Sequence, residues 1–209
     1  MAQRDWRQWG SSKPATAGQR GVSVLNRWQH ENCVSFESLL TKAFQQSGDA
    51  LLQNGEPILV HCNSHVDGYW TDLTRTYVLG APDERLRPLF SALTSAREAA
   101  LAIICPGICA AAVDRAARTV LADKGYGAAF RHATGHGVGF SPIDHEEWPR
   151  IHPCSRQILE EGMVFNIEPG IYLPGYGGLR DCNMVAVTAS GYELLSPFQR
   201  NPEDWCLAA

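Results

Sequence analysis

No uninterrupted apolar run in the 209-residue chain approaches the ~18 residues that a membrane-spanning helix needs. The opening stretch, MAQRDWRQWGSSKPATAGQRG, has no apolar core of the kind that marks a secretory signal. Neither sign of charge dominates. Eighteen Lys and Arg face 22 Asp and Glu, a formal net charge of −4, which gives no electrostatic reason to expect nucleic acid or an anionic membrane as partner. No unit of roughly 20–50 residues recurs, so the chain is not a repeat array. The 7 cysteines are odd in number and lack framework spacing, which suits a reducing compartment. What these absences leave is the expectation of a cytoplasmic globular protein. It is 44% hydrophobic and 19% charged, with 19 glycines and enough length for one domain with a sizeable core.

Residues 1–33 read as a polar arm rich in Gly, Ser, Arg and Gln, and residues 34–209 as the folded domain. Apolar positions at helical period predict a helix over 35–53, interrupted at Ser47-Gly48 and closed by a turn at Asn54-Gly55. From Ile58 the pattern becomes strand, turn, strand, with Asp67-Gly68 between aromatic and β-branched flanks as the hairpin signal. Residues 83–104 carry acids at the start and apolar residues three and four apart, which predicts a helix broken by Pro106-Gly107. A second amphipathic helix follows over 109–124, closed by Gly125, and then short glycine-punctuated strands run to about Leu195. A hairpin, two helices and further strands indicate α+β rather than a parallel βαβ sheet.

Four clusters carry candidate chemistry. They are Asp72 in TDLTRT, His132 and His136 in RHATGHGVG, His145-Glu146-Glu147, and Glu168 in FNIEPGIY just before Pro169-Gly170. A carboxylate, an imidazole and a second carboxylate on separate elements suit Mn²⁺, Zn²⁺, Fe²⁺ or Co²⁺. The glycines beside His136 would let the backbone approach a ligand closely and leave the imidazole unshielded. Singly, each cluster has a plainer explanation. An Asp in a strand is commonly an edge device, a His on an apolar element a hydrogen-bonded core residue, His-Glu-Glu solvated charge, and Pro-Gly a turn. Cys105 and Cys109 have no second pair beside them and read as inert thiols rather than a zinc site.

The joint order argues more strongly. GYWTDLTRT, HATGHGVG, HEEWPRI, LEEGMVFNIEPGIY and GLRDCNMVAVTASGYELL, spread from about Pro57 to Pro197, resemble the pita-bread metallopeptidases, which include methionine aminopeptidase, Xaa-Pro aminopeptidase and prolidase. The resemblance implies a curved antiparallel sheet flanked by helices, holding two metal ions between pseudo-symmetric halves, here with a shortened N-terminal half. It places Asp72 at the bridging aspartate, His136 at the metal-binding histidine and Glu168 at a glutamate ligand. It also places His145 and His132 at two substrate-side histidines, and Arg180 at the arginine preceding the last motif. The step from His136 to His145 is two residues longer than the family's, which leaves the placing of His145 to the loop FSPID.

Two ligand positions depart from the family. His61 stands where an aspartate is expected eleven residues before Asp72, and Cys182 where a bridging glutamate is expected two residues after Arg180. A hairpin turn through 65–68 would pair His61 directly with Asp72, while Asp181 and Asn183 should face away from Cys182. Asn63, on the same face as His61, could add a carbonyl oxygen. His and Cys are competent ligands and together favour Zn²⁺, but the carboxylate that bridges two ions is lost. The expectation is one divalent ion (Mn²⁺, Zn²⁺, Co²⁺ or Fe²⁺) on Asp72, His136 and Glu168, with His61 or Cys182 as a fourth ligand and a second ion weak or absent. The implied activity is metal-dependent hydrolysis of short peptides, Xaa-Pro aminopeptidase-like or dipeptidase-like, with a homodimer allowed and neither nucleic acid nor membrane as partner. Two rivals stay open: a metal-free, creatinase-like C–N hydrolase, suggested by the altered ligands, and a non-catalytic or truncated pita-bread domain, suggested by the short first half.

Overall fold

The computed structural model describes residues 33–36, 53–140, 148–197 and 205–207. The polar arm, apart from Cys33, lies outside these residues, as does nearly all of the helix expected over 35–53. At the start of that helix, Ser35 and Phe36 belong instead to strand β1 (Cys33–Phe36). Its β-branched and aromatic residues add to the edge of β2 (Pro57–Val66), with Phe36 opposite Ile58. Strand β2 turns into β3 (Tyr69–Leu79) through two residues only, Asp67 and Gly68. Both have positive φ, 52° and 84°, as the backbone twist of a two-residue hairpin requires.

This tight turn corrects the expected register. A two-residue loop pairs Val66 with Tyr69, which sets His61 opposite Thr74 and Asn63 opposite Asp72. His61 is therefore a diagonal neighbour of Asp72, not its direct partner. The slip is an even number of residues, so His61, Asn63, Asp72 and Thr74 still share one face.

Helices α1 (Leu86–Leu101) and α2 (Ala110–Asp123) lie within the two predicted spans. The acids expected to begin the first helix precede it, and Asp83 Oδ1 accepts the Arg85 N–H at 2.8 Å. Leu86, Leu89, Phe90, Leu93, Ala96 and Ala100 recur at three and four, forming the stripe α1 buries. They join Val113, Ala117 and Leu121 of α2 in one core with Phe165, Ile167, Ile171, Leu179 and Val185. Those last five come from β4 (Val164–Ile167), β5 (Gly170–Leu173), β6 (Gly177–Arg180) and β7 (Asn183–Thr188). Strands β4 and β7 pair antiparallel and continue to β8 (Gly191–Leu194), β5 pairs with β6, and β9 (Cys206–Leu207) lies parallel to the end of β3. The architecture is the α+β arrangement expected. Among the described residues no helix is long and apolar enough to cross a membrane.

One buried carboxylate ties α2 to the segment carrying His132 and His136. Asp114 accepts from Arg118 Nε and Nη2, each at 2.8 Å, and from the Thr134 hydroxyl at 2.8 Å and N–H at 3.1 Å. Removing it would take the carboxylate partner from the Arg118 guanidinium and the acceptor from the buried Thr134 hydroxyl. We expect Asp114→Ala to lower unfolding free energy by roughly 3 kcal/mol, read from urea melts.

Candidate metal centre

Four stretches of chain meet on the inner face of the hairpin, and backbone pairing brings each there. Thr74 forms an isolated antiparallel bridge with Cys182, whose N–H donates to Thr74 O at 3.0 Å, so Cys182 is held beside the middle of β3. The segment Thr134–Val138 runs along β4. Asn166 N–H donates to His136 O at 3.0 Å, and Glu168 N–H to Thr134 O at 2.7 Å. The glycines flanking His136 permit this closeness. A Cβ on Gly135 would lie 1.9 Å from Asn166 O, and one on Gly137 would lie 2.0 Å from Trp148 O. The close partner is thus neighbouring backbone rather than a ligand, and His136 is buried, not unshielded.

The acids and imidazole expected to cooperate do converge. His136 Nε2 is 3.3 Å from Asp72 Oδ2 and 3.8 Å from Glu168 Oε1. Asp72, Glu168 and Cys182 present ligand atoms that all lie within 4.8 Å of one another, and all three are buried. His136 Nδ1 is 2.8 Å from the Gly137 carbonyl, which can only accept, so the hydrogen sits on Nδ1 and the Nε2 lone pair faces the acids. Two carboxylates, one imidazole and one thiol with almost no water around them form a donor set that fits a single divalent cation. His61 sits at the margin. Its Nδ1 is 2.8 Å from Thr74 Oγ1 and 3.6 Å from Asp72 Oδ1.

Asn63 does not offer its oxygen. With its amide turned to satisfy both ends, the nitrogen donates to Asp72 Oδ1 at 3.2 Å and to Cys62 O at 3.1 Å, because the nearest groups are acceptors. Asn166 was missed by sequence reasoning. Its Nδ2 donates to Asp72 Oδ2 at 2.8 Å and lies 3.0 Å from His136 Nε2, while its Oδ1 accepts the His136 N–H at 2.7 Å. The available signal was a lone amide in the apolar run VFNI, two residues before Glu168 and therefore on the same face.

Behind Cys182 the strand alternates as expected. Asp181 pairs with Arg97 and, at 3.1 Å, with Arg75, and Asn183 Oδ1 accepts from Arg75 Nη2 at 2.7 Å. Arg180 is fully buried and donates from Nε to Thr74 Oγ1 at 3.2 Å, so it enters the cluster as a fixed cation. His132 lies further off, its Nε2 2.9 Å from the Tyr172 hydroxyl and its Nδ1 2.7 Å from Ala133 O. His145 lies outside the described residues.

Burial and charge shift the titrations. Burial pushes the Asp72 carboxyl up, but the His136 hydrogen bond and the charges of His61, His136 and Arg180 bring it below the usual value. Burial lowers His136, and its hydrogen bond to Asp72 and the charge of Glu168 more than reverse this. A proton and the Asn166 amide therefore compete for the same Nε2 lone pair. Burial, reinforced by the charge of Asp72, raises Glu168 to about 7. Burial likewise pushes the Tyr172 phenol up to about 12, and raises the Cys182 thiol.

In metal-free protein, the folded chain keeps the Glu168 proton between the ordinary 4.5 and about 7, where the unfolded chain has released it. That contribution to stability is complete below the unfolded value and is lost as pH rises through the folded one. His136, also raised, acts in the same direction. Chelator-treated protein should accordingly melt lower at pH 8 than at pH 5, with Glu168→Gln flattening the slope. Added metal should recover most stability at the alkaline end, where its ligands are already deprotonated.

Comparison with known proteins follows the same lines. The model of metallopeptidase family M24 matches residues 17–189. The Xaa-Pro dipeptidase of Pyrococcus horikoshii is 32% identical over 185 residues, covering 86% of this chain and 52% of that protein. That of Pyrococcus furiosus is 36% identical over 154 residues, covering 74% and 43%. Among solved structures, the dipeptidase PepE of Mycobacterium ulcerans superposes with a TM-score of 0.79 at 36% identity, covering 85% of this chain and 47% of that one. The prolidase of Pyrococcus furiosus gives 0.77 at 32% identity, covering 82% and 50%. The chain spans about half the length of the curated relatives it matches.

Proposed function

Because the chain belongs to metallopeptidase family M24 and has its pita-bread fold, we propose that it is a metal-dependent hydrolase of short peptides, cutting at the bond before proline. The observation that carries this reading is the buried meeting of Asp72, His136, Glu168 and Cys182. The proline preference is supported by relatives named as Xaa-Pro dipeptidases and a prolidase. These four residues would hold one divalent ion. Such an ion lowers the pKa of water and polarises a carbonyl, which is the chemistry peptide hydrolysis needs.

The chain's own groups set the conditions for that chemistry. Asp72 and Glu168 supply negative charge in a water-poor site, where each counts for more than it would at the surface. Arg180, locked to Thr74, offsets part of that charge without competing for the cation. Glu168, as a ligand beside the water that the ion would activate, would steer that water toward the scissile carbonyl. His132 stands beside Tyr172 and Gly170, where it can line the substrate side. We give His145 the companion role of steadying the scissile amide, as its place in the motif order suggests.

One ion rather than two follows from the ligands themselves. A second site would need carboxylates at both 61 and 182. There, His61 is engaged by Thr74, and the Cys182 thiol donates to Asp72 O at 3.3 Å. We further place the protein in the cytoplasm, consistent with Cys105, Cys109, Cys154, Cys182 and Cys206 forming no disulfide, and allow a homodimer, which sedimentation would reveal.

Purified protein supplied with Mn²⁺, Zn²⁺ or Co²⁺ should release the first residue from Xaa-Pro dipeptides and longer Xaa-Pro peptides. Asp72→Ala and Glu168→Ala should each lose at least 100-fold in kcat/KM, about 2.7 kcal/mol of transition-state stabilisation. No cleavage with any metal, and no bound metal by elemental analysis, would leave the metal-free C–N hydrolase as the better reading. In a separate test, His61→Asp combined with Cys182→Glu should raise metal content after dialysis from about one ion per chain toward two. A wild-type content of two would overturn the single-ion assignment.

A further inference from the structure

The side chain of Asn166 has no ordinary place in a metal centre. It is fully buried, and its orientation is fixed from both ends. At one end Oδ1 accepts the His136 backbone N–H at 2.7 Å, which dictates that the nitrogen points the other way. That nitrogen donates to Asp72 Oδ2 at 2.8 Å and lies 3.0 Å from His136 Nε2. These are two of the atoms a cation would have to engage. The second Asp72 oxygen has an amide of its own, from Asn63 at 3.2 Å. In the metal-free chain, then, each oxygen of the central carboxylate accepts from a neutral amide, and one of those amides also lies against the imidazole Nε2.

We propose that Asn166 is an internal competitor for the metal, its amide occupying the donor directions of Asp72 and His136 until a cation displaces it. The inference rests on the reading of those two residues as metal ligands. Backbone geometry supports rotation of the side chain over retreat of the strand. Asn166 O is packed so closely on Gly135 that a Cβ there would lie 1.9 Å away, and Asn166 N–H is bonded to His136 O at 3.0 Å. The strand is clamped on both sides of the residue, so χ rotation is the available freedom. A cation therefore meets a site whose competent arrangement, with the amide turned aside, is a minor state, and the apparent affinity falls by the fraction of chains in that state. The same contacts hold Asp72 and His136 in place while no metal is bound.

The two consequences move in opposite directions, which separates this role from a purely structural one. Zn²⁺ and Mn²⁺ affinities would be measured on the full chain by competition with a chromophoric chelator, alongside thermal melting in excess chelator. Wild type would be compared with Asn166→Ala and with Asn166→Thr, whose hydroxyl can still accept the His136 N–H. We expect both variants to bind Zn²⁺ at least tenfold more tightly while the metal-free forms melt several degrees lower. Unchanged or weaker affinity in a folded Asn166→Thr protein would overturn the proposal, even if Asn166→Ala fails to fold. Absence of measurable binding in every form, wild type included, would instead overturn the metal reading of the site and this inference with it.

Discussion

A carboxylate taken almost wholly out of water governs this molecule. Asp72 is 1% exposed in the middle of β3, where an ionised acid is tolerated only with donors and positive charge around it. No single neighbour supplies enough. Asn63 comes from the partner strand, Asn166 from β4, His136 from the loop beside it, Cys182 from the approach to β7, and Arg180 from β6. Satisfying one acid thus requires the hairpin, the helices' strand partners and the final strands to assemble together. Folding and site formation are the same event.

Charge is arranged in layers along residues 180–183. Arg180 points toward the cluster through Thr74, whereas Asp181 points outward to Arg75 and Arg97, and Asn183 follows it to Arg75. Arg75 also donates to Cys182 O at 2.5 Å and to Thr74 O at 2.8 Å. Arg75 thus fixes the backbone of Thr74 and Cys182, whose side chains face inward. Two guanidinium groups on opposite sides of one strand thereby share the work: one sets position, the other sets potential.

Much of this was legible from residue order. The Asp-Gly turn, the helical stripes from Leu86 and Ala110, and the gathering of Asp72, His136 and Glu168 all follow from local chemistry and motif order. What was illegible depends on three-dimensional closeness. Turn length decides whether His61 faces Asp72 or Thr74, and Asp67-Gly68 fits either a two-residue or a longer loop on paper. Asn166 looks like an ordinary strand amide, and Asn63 like an oxygen donor, until the acceptors around them are known. The role of Gly135 and Gly137 was misassigned because the group pressing on them is backbone from distant sequence, and no local pattern records it.

Those two glycines carry a broader consequence. Main chain rests on main chain on both sides of His136, with Asn166 O against Gly135 and Trp148 O against Gly137. Peptide groups have the same size whatever side chains they bear. The imidazole's location is therefore gauged by the thickness of the backbone itself, and drift among the Leu, Ile and Val residues of the core can proceed without moving it. At Gly135 and Gly137 even a single methyl group would drive two main-chain segments apart and carry the imidazole with them.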